Sequence, residues 1–234
     1  NVFNDINLNK KSIQLNLGKP EAVEIVKKLV SVSDVVAQNM RPGVIDRLGL
    51  GYEALKAVKP DIVYLSSSTR GSTGPERGYS GYAPNFAALS GILHITGVPD
   101  SGPGVMTGEI DLLSAITSTF ATLVALRHRL RTGEGQHIDL SSTESISVFI
   151  GDVLMDYLAN GVVQTRRGNI DDFMAPHNCY RCKGKDKWVS IAVANDEEWA
   201  ALCRVMGDPA WANEERFLTA SGRWQNQAEL DDMI

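Results

Sequence analysis

The sequence predicts an α/β protein: a large domain built on a parallel sheet, followed by part of a smaller α+β domain. Three observations lead there. Strand-like and helix-like apolar patterns alternate with short connections through the first half. That order yields a parallel, Rossmann-like sheet, because each crossover must carry the chain back to start a strand in the same direction. A long Leu- and Ala-rich helical segment then ends in a Gly-rich turn and runs into another strand. Beyond about residue 161 the pattern becomes two strands and an amphipathic helix.

In order along the chain, residues 12–17 (SIQLNL) place Ile13, Leu15 and Leu17 on one face of a period-2 strand. Pro20, tolerated in a first helical turn, opens a helix whose Val23, Ile25, Val26, Leu29 and Val30 recur at helical spacing. Residues 34–38 (DVVAQ) read as a short buried strand stopped by Arg41-Pro42-Gly43. Residues 51–60 form a helix that ends at Pro60. DIVYLSSS then makes a strand that runs into small polar residues. The apolar pattern of 83–95 is helical, as is that of 111–131, which stops at Thr132-Gly133-Glu134-Gly135. QHIDLSS is the next strand, and 143–157 the next helix. The large domain is expected over 1–160, a polar linker over 161–172, and the start of the small domain over 173–234. There, CYRCKGKDKWVSIAVA reads as two strands about a Gly-Lys-Asp turn, and DEEWAALCRVMG as a helix with a Gly stop.

The 234 residues are 43% hydrophobic and 22% charged, enough to bury a core without staples. A net charge of -5 argues against a nucleic-acid partner, which demands a basic face. No continuous apolar run of about 18 residues exists, so no membrane span is predicted, and no signal-peptide pattern is visible. Three cysteines fit a reducing cytoplasm rather than a disulfide framework. The chain opens on Asn1 without Met and closes on what reads as an unfinished helix, so truncation at both ends is expected.

In open parallel sheets ligands gather beyond the carboxyl ends of the strands, here residues 39–43 and 66–74. The second stretch, SSSTRGSTG, has the composition of an anion-cradling loop, although a plain connection is the commoner role of such a segment. Asp111 starts the long helix. Acids are enriched there as caps and meet the positive end of the helix dipole. The same position suits a carboxylate that attacks an activated carbonyl. Cys179-x-x-Cys182 lacks the second ligand pair that a zinc site needs, and on a predicted strand these cysteines act as small apolar residues. No metal site is expected. His94, His128 and His137 are scattered without a visible partner set, and neither GxGxxG nor GxxxxGK[ST] occurs.

Taken in order, several stretches resemble the family III CoA-transferases, the group that includes formyl-CoA and carnitine-CoA transferases and α-methylacyl-CoA racemase. They are NKKSIQLNL at 9–17, QNMRPGVIDRLGLGYEAL at 38–55, PDIVYLSSSTRGSTGP at 60–75 and LSGILHITG at 89–97. They continue with the pair formed by Asp111 and, after twenty intervening residues, TGEGQHIDLSS. APHNCYRCKGKDKWVSIAV at 175–193 and the DEEW helix complete the set. The resemblance covers nearly the whole chain.

That resemblance implies that Asp111 is the catalytic carboxylate, that Asn39 and Met40 match an Asn-Phe pair contacting coenzyme A, and that Arg47 matches an Arg on the nucleotide phosphates. Met for Phe keeps an apolar surface, and a guanidinium fork suits phosphate. Racemases in the group resemble one another in using a His and a Glu as proton carriers, where this chain has Tyr82 and Asn195. Neither replacement exchanges protons near neutral pH in that way, whereas transferases often carry Tyr at the Tyr82 position, a substrate-pocket candidate. The implied activity is transfer of coenzyme A from an acyl-CoA thioester to a free carboxylic acid, through an aspartyl anhydride and an aspartyl thioester. Coenzyme A is then a co-substrate, no cofactor is tightly bound, and full-length members form interlocked homodimers. The alternatives are an acyl-CoA racemase or epimerase, or a catalytically incomplete fragment.

Overall fold

The structure, a computed structural model, describes residues 2–106 and 108–234. The chain gathers into two compact units, one of residues 1–93 and 105–163, the other of residues 94–104 and 164–234.

The first unit begins with α1 (Val2–Ile6) and α2 (Pro20–Ser31), then β1 (Val35–Gln38), α3 (Val44–Arg47), α4 (Tyr52–Val58) and β2 (Val63–Ser68). After α5 (Ala83–Ser90) and the short α6 (Ile92–Ile95) comes the long α7 (Gly108–Thr132). It leads into β3 (His137–Ser141), α8 (Ser142–Ser147), a 3-10 turn over Val148–Ile150 and α9 (Gly151–Asn160). The sheet order is β1-β2-β3, all parallel, with Val35 opposite Val63 and Tyr64 opposite His137. The α/β expectation with a parallel, Rossmann-like sheet therefore holds.

Side chains alternate across the sheet, and each face has its own cover. Val30, Leu50, Leu55, Ile62 and Tyr64 form one buried cluster, which α2 and α4 close from one side. Each fully buried Leu or Ile there contributes about 1.5–3 kcal/mol. Ala83, Ala87, Ile110 and Ile146 form another, where α5, α7 and α8 meet.

The TGEGQ turn that joins α7 to β3 has a steric reason for both glycines. Gly133 sits at φ 77°, the left-handed conformation that ends a helix without a Cβ penalty. A Cβ on Gly135 would lie 2.3 Å from the Ile62 carbonyl oxygen, so only glycine lets β3 enter beside β2.

The second unit contains β4 (His177–Arg181) and β5 (Trp188–Ala192), an antiparallel hairpin, then α10 (Asp196–Val205), two 3-10 turns, α11 (Ala220–Gln225) and α12 (Gln227–Met233). Val193, Trp199, Ala212, Phe217 and Leu230 form its core. Arg223 is completely buried within it. Its Nε donates to the Ala175 carbonyl at 3.1 Å, Nη1 to the Phe217 carbonyl at 3.1 Å and Nη2 to Asp196 at 2.8 Å, with the guanidinium over the Trp199 ring.

Several expectations are corrected. Residues 12–17 form no strand, because no described strand lies beside them to accept their hydrogen bonds; Ile13 is exposed and Leu17 packs against the α2–α4 cluster. The helix expected over 83–95 is two, divided at Gly91, which has φ 90°. The helix expected over 143–157 is likewise broken by the 3-10 turn at 148–150. β1 is half-buried rather than buried, since among the described residues it has a paired neighbour on one side only. Cys179 is exposed on β4 and Cys182 lies exposed beyond its end, so neither acts as a core residue. By length and composition alone α7 is long and apolar enough to cross a membrane, because its mean apolarity tolerates the hydroxyls that interrupt a continuous run, a match that a core helix of a soluble protein also gives. One flank packs on β2, β3, α5 and α8; Leu112, Ile116, Phe120 and Leu123 on another are exposed.

Candidate functional site

Asp111 is the fourth residue of α7, in its first turn rather than at its cap, and its side chain is exposed. It lines a cavity of about 760 Å³ in the first unit. Asn39, immediately after β1, Ser67 and Ser68 at the end of β2, and Tyr82 ahead of α5 line the same cavity. The space thus lies beyond the carboxyl ends of β1 and β2, on the sheet face that α7 covers, as an open parallel sheet requires. The N-terminal end of α7 is the positive end of its dipole and favours an anion there.

Tyr82 is 84% exposed. Its backbone N–H donates to Asn85 Oδ1 at 3.0 Å, so the residue starts α5 while its ring stays available to a ligand. Asn195 belongs to the second unit, where its Oδ1 accepts from the Glu198 N–H at 2.9 Å and caps α10.

The other two expected contact residues lie elsewhere on the first unit. Met40 lines a separate cleft of about 440 Å³ on the opposite sheet face, with Tyr52, Ser66, His137 and Asp139. Arg47 lines a pocket of about 260 Å³ with Arg41 and Gly78, where Arg41 donates to the Gly78 carbonyl at 2.9 Å. Asn39, Tyr82 and Asp111 are therefore brought together, and Met40 and Arg47 are not.

Two arrangements had no sequence signal. Ser66 Oγ and His137 Nε2 are 2.9 Å apart, and the His137 ring stacks on Tyr52 at 5.0 Å and meets Tyr64 edge-on at 5.3 Å. This follows from the β2–β3 register, which no single strand reveals. In the serine- and glycine-rich loop, the Ser72 N–H and hydroxyl donate to the Asp139 carboxylate at 3.0 and 2.5 Å. An internal carboxylate thus already holds these donors, and Arg70 pairs with Glu76 at 2.6 Å. The loop is a pinned connection. Among the described residues no His, Cys, Asp and Glu group could hold a metal ion.

An exposed carboxylate thus stands beside a ligand-sized cavity at the mouth of a parallel sheet. The sequence profile of CoA-transferase family III matches residues 1–234, and the chain belongs to that family. It is 38% identical to the succinyl-CoA–D-citramalate CoA-transferase of Chloroflexus aurantiacus, over 97% of this chain and 56% of that protein. It is also 38% identical to the acetyl-CoA:oxalate CoA-transferase of Acetobacter aceti, over 97% of this chain and 59% of that one. Among solved structures, a CAIB/BAIF family protein from Brucella suis superposes with a TM-score of 0.87 at 35% identity, covering 96% of this chain and 59% of that one. The chain spans about half the length of the curated relatives it matches.

Proposed function

We propose that the protein transfers coenzyme A from an acyl-CoA thioester to a free carboxylic acid, with Asp111 as the covalent nucleophile. The single observation that carries this reading is the exposed Asp111 carboxylate on a 760 Å³ cavity shared with Asn39 and Tyr82. The relatives named for succinyl-CoA, citramalate and oxalate support short dicarboxylic acids as the substrates.

In this reading an Asp111 oxygen attacks the thioester carbonyl, the carbon–sulfur bond breaks, and coenzyme A leaves as the thiolate from a mixed anhydride. The thiolate then attacks the Asp111 carbonyl carbon, releasing the donor acid and leaving an aspartyl-CoA thioester. The acceptor carboxylate attacks that thioester to form a second anhydride, and the thiolate takes up the acceptor's acyl group, restoring Asp111. Each step exchanges one activated acyl bond for another, which is why covalent catalysis suits the reaction. Coenzyme A is a co-substrate. Arg47 and Arg41 supply cationic donors suited to phosphate, and Asn39 and Met40 remain its proposed contacts.

The racemase alternative lacks its proton carriers, since Tyr82 and Asn195 stand at those positions. Exposed Leu112, Ile116, Phe120 and Leu123 on α7 supply apolar surface of the kind a homodimer interface uses. The unpaired thiols of Cys179 and Cys182 fit a cytoplasmic setting. Incubation with acyl-CoA and hydroxylamine should convert Asp111 to a hydroxamate; full transfer activity in an Asp111→Ala variant sinks the assignment.

A further inference from the structure

The cavity contains a second feature that the family assignment does not explain. Buried polar side-chain atoms ordinarily find partners, and one left without costs the protein stability. Among the described residues the buried atoms without one are Ser68 Oγ, Arg70 Nε, Ser114 Oγ and Arg166 Nε. Two of the four, Ser68 and Ser114, belong to residues that line the Asp111 cavity.

Ser114 is the sharper case. It is only 8% exposed and lies three residues after Asp111, hence one turn further along the same face of α7. A helical hydroxyl normally satisfies itself by donating to the carbonyl four residues back. Thr117, Thr119, Thr122 and Thr132 of α7 all do so, at 2.8–3.2 Å. Ser114 does not use the Ile110 carbonyl, although the helix offers it. Its proton is left for something outside the helix, and the adjoining open space is the cavity.

We propose that Ser114 is an oxyanion donor for acyl transfer at Asp111, its hydroxyl turning about the Cα–Cβ bond into the cavity when a substrate carbonyl reaches the carboxylate. This rests on the transfer reading given above. When an Asp111 oxygen bonds to the thioester carbonyl carbon, the carbonyl π electrons move onto its oxygen. Ser114 donates a hydrogen bond to that oxygen and keeps its proton. When the intermediate collapses, the pair returns to re-form the carbonyl and the carbon–sulfur bond breaks. One helical turn separates nucleophile and donor, a spacing suited to a single tetrahedral carbon between them.

The test compares Ser114→Ala and Ser114→Thr with the parent sequence, each within its complete gene product, using succinyl-CoA as donor and hydroxylamine to trap Asp111. Loss of one such donor lowers kcat by about 10²–10³-fold. The expected result is that loss in Ser114→Ala with KM for the thioester unchanged, an unlowered melting temperature, continued but slow labelling of Asp111, and partial recovery in Ser114→Thr. A kcat within twofold of the parent, or a change confined to KM, overturns the proposal. Absence of label on Asp111 in the parent protein refutes the transfer reading itself, a separate outcome.

Discussion

At the scale of single residues, three side chains carry distinct loads. Asp111 is exposed and in the first turn of α7, where an acid contributes about 0.3–1 kcal/mol through the helix dipole. Asp111→Asn should therefore leave the melting temperature nearly unchanged while lowering kcat at least ~10³-fold, the signature of a lost nucleophile. Arg223 behaves in the opposite way. Replacing it by Met strands the Ala175 and Phe217 carbonyls and removes the partner of Asp196. Urea denaturation should register a loss of about 3–5 kcal/mol in the second unit. Tyr64 is 1% exposed, and burial, aided by the Asp46 charge, pushes its phenol up to about 12. An unfolded tyrosine releases its proton near pH ~10, so above that point the folded chain holds a proton that the unfolded chain has lost. This contribution is complete below pH ~10 and falls by about 1.4 kcal/mol per pH unit towards 12. Tyr64→Phe should flatten that alkaline decline in a pH series of denaturation curves, and at pH 7 cost about 1 kcal/mol for the lost bond to the Leu50 carbonyl.

At the scale of elements, the α7–β3 turn is where local chemistry constrains the sheet most tightly. Gly135→Ala drives a methyl into the β2 backbone at Ile62, whereas Gly133→Ala only strains a left-handed residue facing open space. Both should destabilise, by about 1–3 kcal/mol at Gly135 and about 1–2 kcal/mol at Gly133, and only Gly135→Ala should speed amide exchange along β2 and β3. The turn was legible because Gly133 and Gly135 directly follow a long helical pattern. β2 was legible too, since Ile62, Val63, Tyr64 and Leu65 form a short continuous apolar run of the kind a strand buried on both faces carries. Residues 12–17 misled because alternation marks a face and not the presence of a neighbouring strand. The Ser66–His137 pair joins residues 71 positions apart and depends on register, which lies outside either segment. Ser114 was hidden for another reason: nothing in the sequence separates a self-satisfied helical hydroxyl from a free one.

At the scale of the molecule, the carboxyl ends of two parallel strands and the start of one long helix create the cavity, while the second unit is organised around Arg223 and its own aromatic core. Residues 94–104, which group with that second unit, include the Gly- and Pro-rich stretch 97–104, whose composition marks turns and not the unit they pack with. The central claim is that Asp111 becomes covalently acylated, and following a heavy-oxygen label tests it most directly. If the acceptor acid carries the label in its carboxylate, the bridging oxygen of the second anhydride stays with Asp111. One labelled oxygen should thus appear on Asp111 after a single turnover and in the released donor acid after the next. Transfer that proceeds while both stay unlabelled would contradict the account.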